Sequence, residues 1–381
     1  MHIGILYGGR ISRSSGTDER VLQIVKELSL NNIQVTFSAA IENQTDNLDL
    51  NGINHVLMPL YNVKKIHNIL FWMVNLIIIG IKKRYDIIQI EVFSLPEILL
   101  LFFVLRPFAN KFIIVFHDKW FINDPRISIE GKVSLFLHRI ILSIFDYCIT
   151  PGSTIKQYFM KLHGENVRQK ICIIPNGSPS FNLEHEVSQK SLRSSYLIDE
   201  NAFVALYFGS MNFKPNYDSA MKLFEISEQV CTNFKKQTGK NLVFVVAGIY
   251  SQLLPKNKYF VPVGYVKSLS DLFTLPDLIV IPHLESHSGP HIKTIYAFLS
   301  KKPVVCTEDA IKDMAEVKDK EQVLLFQYDD PESLLKVITS LYFNHELGET
   351  ISLNAYLYTK KYSWKYVSSL HLNLYHNLLK R

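Results

Sequence analysis

The chain has 381 residues, of which 48% are hydrophobic, 12% aromatic and 20% charged. That length predicts two domains, and the composition excludes a disordered chain, a collagen-like repeat and a disulfide-stapled mini-protein. Lys and Arg outnumber Asp and Glu by 41 to 35, too thin an excess for a dedicated nucleic-acid binder, so no nucleic-acid partner is expected. A mildly basic balance with mean hydropathy +0.08 fits a soluble enzyme that meets anionic ligands or an anionic membrane surface. Cys148, Cys172, Cys231 and Cys306 form no C-x-x-C pair and read as reduced cytosolic thiols used as small apolar residues. The opening residues lack a basic region followed by an apolar run, so no signal peptide is expected.

In chain order, Ile3–Tyr7 predicts a strand that breaks at Gly8-Gly9. Val21, Leu22, Val25 and Leu28 then carry a helical spacing, with Ser15, Thr17 or Asp18 as its cap. Further strands are expected at 35–37, 87–90, 112–116, 147–150 and 171–174. Short apolar runs separated by helical lengths predict a parallel sheet covered on both faces. The polar stretch Asn182–Ser195 reads as a linker. A second strand series follows at 203–208, 242–247, 278–281, 303–306 and 323–326. Two Rossmann-like halves dividing near residue 180 are expected, and Leu353–Leu379 reads as one helical segment containing Ser363-Trp364.

Two apolar blocks, Ile69–Ile81 and Ile98–Leu105, are shorter than the roughly 18–20 residues needed to span a bilayer. Each fits a buried helix or strand of the core. The first is flanked by Lys64-Lys65 and Lys82-Lys83-Arg84, so a helix lying on an anionic lipid surface is the less favoured alternative there.

Ligands of such sheets bind beyond the C-terminal ends of the strands. Gly8, Gly9 and Gly16 there are compatible with an ordinary turn or with close backbone approach to an anion at a helix N-terminus. No G-x-G-x-x-G fingerprint follows any strand, so a dinucleotide-dependent oxidoreductase gains no support. His117-Asp118 ends one strand, where histidine can bond a substrate hydroxyl or carry a proton. Gly209-Ser210 ends another and can offer N–H groups to a phosphate, with Lys214 adding charge. Ser288-Gly289 precedes a helix expected to start near Pro290, and with Lys293 it makes a diphosphate cradle. His283, His287 and His291 recur every four residues, but no cysteine or acidic triad accompanies them, so no metal is expected.

These stretches together resemble the group 1, or family 4, glycosyltransferases. Gly16-Thr17-Asp18-Glu19-Arg20-Val21 is similar to that family's G-G-x-E-R-V opening, and His117-Asp118 to its strand-end H-D. Asp146–Thr150 with Ile174-Pro175-Asn176-Gly177 resembles its A-D-x-V-I and V-I-P-N-G pair. Phe208–Met211 with Pro215-Asn216-Tyr217-Asp218 resembles F-x-G-S-M-x-x-x-P-N-x-D, and Gly289–Lys293 resembles G-T-R-I-K. Lys302–Val305 and Tyr362-Ser363-Trp364 are similar to the G-x-P-V-V and F-S-W segments.

The resemblance implies a GT-B fold in which two Rossmann-like domains face each other across a cleft. An acceptor-binding domain would span residues 1–180, a nucleotide-sugar-binding domain 181–360, and a C-terminal helix, 361–381, would pack back on the first domain. It implies transfer of a sugar from a nucleotide diphosphate donor, with retention and without a metal cofactor. Lys293, Ser288 and Gly289 would contact the diphosphate, Gly209, Ser210 and Lys214 would lie beside it, and His291 takes the place of the family's basic residue. Gly16 would approach the diphosphate or sugar, and His117 would bond the donor sugar. The acceptor would be a glycan or a lipid-linked sugar in cell-surface polysaccharide or glycolipid assembly, with the enzyme cytoplasmic or peripheral on the membrane's inner face.

Besides His291, three positions depart from the pattern. Tyr296 stands where the family places the Glu that holds the nucleotide ribose, Ser288 stands at the first position of its Glu-x7-Glu signature, and Lys302 replaces a glycine. A tyrosine hydroxyl cannot act as a bidentate carboxylate acceptor. Glu285 and Glu308 are candidate substitutes. The departures also admit a second function: a GT-B protein that binds a nucleotide sugar or a partner without turning over.

Overall fold

The computed structural model describes residues 1–11, 16–41, 53–59, 66–117, 128–178, 187–284 and 291–380. The chain forms two compact units, the first comprising Met1–Gly177 and Trp364–Arg381, the second Ser178–Ser286 and Pro290–Ser363.

The first unit holds seven strands: β1 (His2–Ile11), β2 (Gln34–Ile41), β3 (Asn54–Pro59), β4 (Tyr85–Glu91), β5 (Ala109–Val115), β6 (Tyr147–Thr150) and β7 (Ile171–Ile173). They run parallel in the order β3-β2-β1-β4-β5-β6-β7. Its helices are α1 (Gly16–Leu30), α2 (Ile66–Lys82), α3 (Leu95–Leu105), α4 (Ile129–Ile144) and α5 (Ser153–His163). The second unit begins with α6 (Gln189–Ser195), β8 (Phe203–Phe208), α7 (Lys214–Thr238), β9 (Leu242–Ala247), β10 (Phe260–Gly264) and α8 (Leu269–Thr274). It continues with β11 (Leu278–Ile281), α9 (Ile292–Leu299), β12 (Val304–Cys306), β13 (Leu324–Leu325), α10 (Pro331–Phe343) and α11 (His345–Tyr358). Its six parallel strands are ordered β10-β9-β8-β11-β12-β13. The last helix, α12 (Trp364–Leu379), places Trp364, Val367, Leu374, Tyr375 and Leu378 in the core of the first unit.

Because side chains alternate along a strand, β4 feeds both faces of its sheet. Ile87 enters the cluster shared with α1 and α12, while Ile88 and Ile90 enter the one covered by α2 to α5. The same alternation divides β8: Ala205 and Tyr207 lie on the α7 side, Val204 and Leu206 on the α9 side. Four buried layers result, two per sheet, and they account for the high apolar fraction.

Several boundaries differ from the sequence reading. β1 continues through Gly8-Gly9 with a register shift against β2 rather than breaking there. Both glycines are filled in by the chain itself: a Cβ on Gly8 would lie 2.4 Å from the Val92 carbonyl oxygen, and one on Gly9 2.4 Å from the Tyr7 hydroxyl. Part of the expected linker is α6, capped by the Ser188 hydroxyl accepting from the Ser191 N–H and held by buried Arg193. The helix at Leu353–Leu379 is two helices, separated by a 3-10 turn at Thr359–Tyr362. Strands β3 and β10 were not anticipated; both are edge strands containing a proline, Pro59 and Pro262, where a missing N–H costs nothing.

Candidate active site

In the second unit, β8 and β11 deliver two segments to the same end of the sheet. Lys293, in the first turn of α9, donates from Nζ to Tyr207 Oη (2.9 Å) and Asn216 Oδ1 (2.6 Å), and lies 4.5 Å from the centre of the Tyr207 ring. Both acceptors are neutral, and among the described residues no carboxylate pairs with this ammonium. Part of the side chain is exposed, yet desolvation pulls the Lys293 pKa down to about 7. Burial also raises the Tyr207 phenol above its ordinary value, so Tyr207 serves as a neutral partner.

Asn216 is the organiser of this corner. Its Nδ2 donates to the Ser210 carbonyl at 2.9 Å, and its own carbonyl accepts from Tyr207 Oη at 3.2 Å. Gly209 lies directly beneath: a Cβ there would fall 2.8 Å from Asn216 Nδ2 and 3.1 Å from Lys293 Nζ. Its N–H donates to the Ala247 carbonyl at 3.0 Å, so within Gly209-Ser210 only the Ser210 N–H is left over from the sheet. Gly248, with φ +131°, must also be glycine, because a Cβ would lie 1.9 Å from the Gly209 oxygen.

His283, at the end of β11, is buried and stacks on His291 with ring centres 4.6 Å apart. Burial first, then the charges of Lys293 and His291, push its pKa far down, so it is a neutral imidazole. Its Nδ1 has no hydrogen-bond partner among the described residues. His291 is the N-cap residue of α9. Lys214 is 82% exposed and paired with Asp218 one turn on, outside the Lys293 cluster. Tyr296 is half-buried and packs against the apolar cluster of Ile295 and Phe298, and Glu308 is exposed. Ser288, Gly289, His287 and Glu285 lie outside the described residues. Among the described residues no group of three His, Cys, Asp or Glu side chains is placed to hold a metal ion.

In the first unit, His117 follows β5 and its Nε2 meets Glu91 Oε2 at 2.9 Å. Glu91 ends β4, is fully buried, and shares the face of Ile87 and Gln89 that looks toward α1 and α12. Burial alone raises its pKa, but the His117 hydrogen bond and charge, the Arg20 charge and the Gln89 amide outweigh it and bring the pKa to about 2. Gln89 donates to Glu91 at 2.5 Å and accepts from Tyr375 Oη of α12 at 2.8 Å. Arg20, also fully buried, donates from Nη1 to the Pro175 carbonyl (2.9 Å) and Asn176 Oδ1 (3.1 Å). Gly16 is the first residue of α1, and Asp118 lies outside the described residues.

The family profile "Glycosyl transferases group 1" matches residues 202–344. This stretch is a group 1 glycosyltransferase domain. No curated protein sequence matches the chain. Among solved structures, a glycosyltransferase from Rickettsia africae ESF-5 superposes with TM-score 0.75 at 17% identity, covering 100% of this chain and 99% of that one. Anabaena Alr3699/HepE in complex with UDP and glucose gives 0.68 at 13% identity, covering 98% and 99%. WaaG, a glycosyltransferase involved in lipopolysaccharide biosynthesis, gives 0.62 at 14%, covering 98% and 99%. The fold is that of the GT-B glycosyltransferases.

Within this glycosyltransferase domain, sequence reasoning singled out Lys293 and Gly209 but passed over Tyr207, Asn216 and Gly248. Asn216 lay inside a run already quoted, Pro215–Asp218; Tyr207 reads as one more apolar strand residue. Glu91 was missed in the first unit, although an acid placed directly after the run Ile87-Ile88-Gln89-Ile90 at a strand end was its visible signal.

Proposed function

We propose that the protein is a retaining glycosyltransferase that moves a sugar from a nucleotide diphosphate sugar to a glycan or lipid-linked acceptor in cell-surface polysaccharide or glycolipid assembly. The observation that carries this reading is Lys293: an ammonium held by two neutral oxygens, with its pKa lowered to about 7 and no carboxylate beside it among the described residues. A diphosphate supplies the missing counter-charge. As the sugar–phosphate bond breaks, negative charge builds on the leaving phosphate, and a pre-positioned ammonium stabilises that charge more than the ground state. The leaving phosphate takes the acceptor's proton on the same face, so no protein nucleophile is needed and the configuration is retained.

In this reading Ser288, Gly289, His291 and the Ser210 N–H serve the diphosphate, with Gly209 letting it approach. His117 bonds the transferred sugar, Gly16 gives close backbone approach at the start of α1, and Tyr296 offers a hydroxyl to the ribose. Lys214 contributes long-range charge only. The HepE structures hold UDP, glucose and UDP-glucose, which makes a UDP-hexose the first donor to try.

Thermal shift against a panel of nucleotide sugars, followed by turnover with the best donor, tests the assignment. Lys293→Ala is expected to cut turnover about 100-fold or more; unchanged turnover removes Lys293 from the diphosphate. A second reading, a nucleotide-sugar-binding or partner-binding subunit that does not turn over, is favoured by Tyr296, which is half packed into the core where the family carries a carboxylate. Donor transfer or hydrolysis by the purified protein disposes of it.

A further inference from the structure

Helices α2, α3 and α4 cover one face of the first sheet. Their inner sides already supply what the core needs, through Trp72 and Leu76, Ile98 and Phe102, and Ile141 and Leu142. Their outer sides are apolar as well. On α2, Val74, Ile78 and Ile81 project to solvent at spacings of four and three, with Ile81 67% exposed. On α3 the exposed residues are Leu100 and Phe103, the latter 65% exposed; on α4 they are Val133 and Phe136, the latter 61%. Gly80 lets α2 settle close to the turn after α3 and to β4, since a Cβ there would lie 2.7 Å from Phe108 Cβ and 3.1 Å from Tyr85 Cε2. A helix apolar on both sides needs a second apolar neighbour, and adjacent helices with this property form a patch rather than scattered exposed residues.

The charge around the patch is one-sided. Residues 50–85 contain neither Asp nor Glu. Exposed Lys82, Lys83 and Arg84 close α2, Arg106 follows α3, and Lys132 and Arg139 lie on α4, against only Glu97 and Glu130. Lys83, Arg84 and Arg106 lie just beyond the helix ends, so the helices and these flanking residues together carry six basic side chains against two acidic ones. A second copy of the chain placed on this face would bring two basic rims together, which like charge opposes. An anionic surface with an apolar interior satisfies rim and patch together. Among the described residues no helix is long and apolar enough to cross a membrane, so the contact is with the surface.

We propose that the outer faces of α2, α3 and α4 form one docking surface for an anionic phospholipid bilayer, with Ile81, Phe103 and Phe136 entering the headgroup–acyl boundary and the basic residues meeting lipid phosphates. This deepens the proposed function and rests on it only for the supposition that the acceptor is membrane-borne.

Sedimentation of the full-length protein with vesicles of phosphatidylcholine, with or without about 30% phosphatidylglycerol, tests it. The protein is expected to pellet with the anionic vesicles, to stay in solution with the neutral ones, and to be released by salt. The exposed double variant Phe103→Ser, Phe136→Ser and the charge variant Lys82→Glu, Lys83→Glu should each lower partitioning about tenfold or more. Their melting temperature and nucleotide-induced shift should remain those of the wild type, which shows that the fold is intact. No partitioning, equal partitioning into both vesicles, or variants that partition normally would overturn the proposal. So would a solution dimer that the Phe103→Ser, Phe136→Ser change dissociates, or an acidic protein partner competing at the same residues while vesicles do not bind. The nucleotide shift is read on the same samples, so its absence sinks the transferase reading without touching the lipid result.

Discussion

Lys293 and Glu91 show how two residues of opposite charge are handled at strand ends. Lys293 is desolvated, with no acidic partner among the described residues, so a bound diphosphate must raise its pKa. Below about pH 7 the ammonium is already charged and donor affinity is flat. Above it, binding takes up a proton, and affinity falls with rising pH, by up to about tenfold per unit between pH 7 and pH 9. Isothermal titration with a nucleotide sugar should show this slope, and Lys293→Met should abolish it; a flat wild-type profile contradicts the assignment. Glu91 is the reverse case, a buried carboxylate with its pKa near 2. The unfolded chain protonates first as pH falls, so this residue's contribution is complete above about pH 4.5 and is lost on descending toward pH 2. Glu91→Gln leaves Arg20 buried beside a neutral amide and is expected to cost about 3 kcal/mol at neutral pH. It should also make stability less sensitive to acid than in the wild type, as urea midpoints at the two pH values would reveal.

At the scale of elements, the turn after β7 and the start of α12 explain each other. Gly177 lies flat under the Trp364 indole: a Cβ would fall 2.3 Å from Cε3 and 2.5 Å from Cδ2. The next residue, Ser178, donates its N–H to the Tyr362 carbonyl at 2.6 Å and bridges to Ser363, so two segments distant in sequence run side by side. Gly177→Ala must displace a buried ring and is expected to destabilise the protein by about 2 kcal/mol, read from the denaturant midpoint with donor binding in the second unit unchanged. Central elements such as β5, β8 and β9 were legible because both their faces are buried and their apolar runs are unbroken. Edge strands β3 and β10 were not, since each contains a proline, which argues against a strand. The candidate site divided in the same way. Gly209 follows a strand directly and Lys293 opens the helix after one, so both stood out, whereas Tyr207, Asn216 and Glu91 matter through neighbours brought in by folding, and only coordinates place those neighbours.

For the whole molecule, chain path decides which part depends on which. The described residues of the second unit all come from the chain between Ser178 and Ser363, whereas the first unit is completed by α12 from the far end. Trp364, Val367, Tyr375 and Leu378 are buried in the first unit, and Tyr375 also hydrogen-bonds Gln89 beside Glu91. Removing residues 364–381 therefore opens the core of the first unit and strips its buried polar network of a donor. Burying aromatic and aliphatic side chains of this size is worth roughly 1.5–3 kcal/mol each, which together is comparable to the whole stability of a domain. The Lys293 corner, by contrast, draws every described partner from the second unit. A chain ending at Ser363 is expected to lose the calorimetric transition of the first unit while keeping that of the second. A bound nucleotide should still raise the remaining transition, by about 2.7 kcal/mol of apparent stability at a hundredfold excess over Kd. Loss of both transitions together would mean that the two units unfold as one cooperative body, and that α12 stabilises the nucleotide-binding half as well.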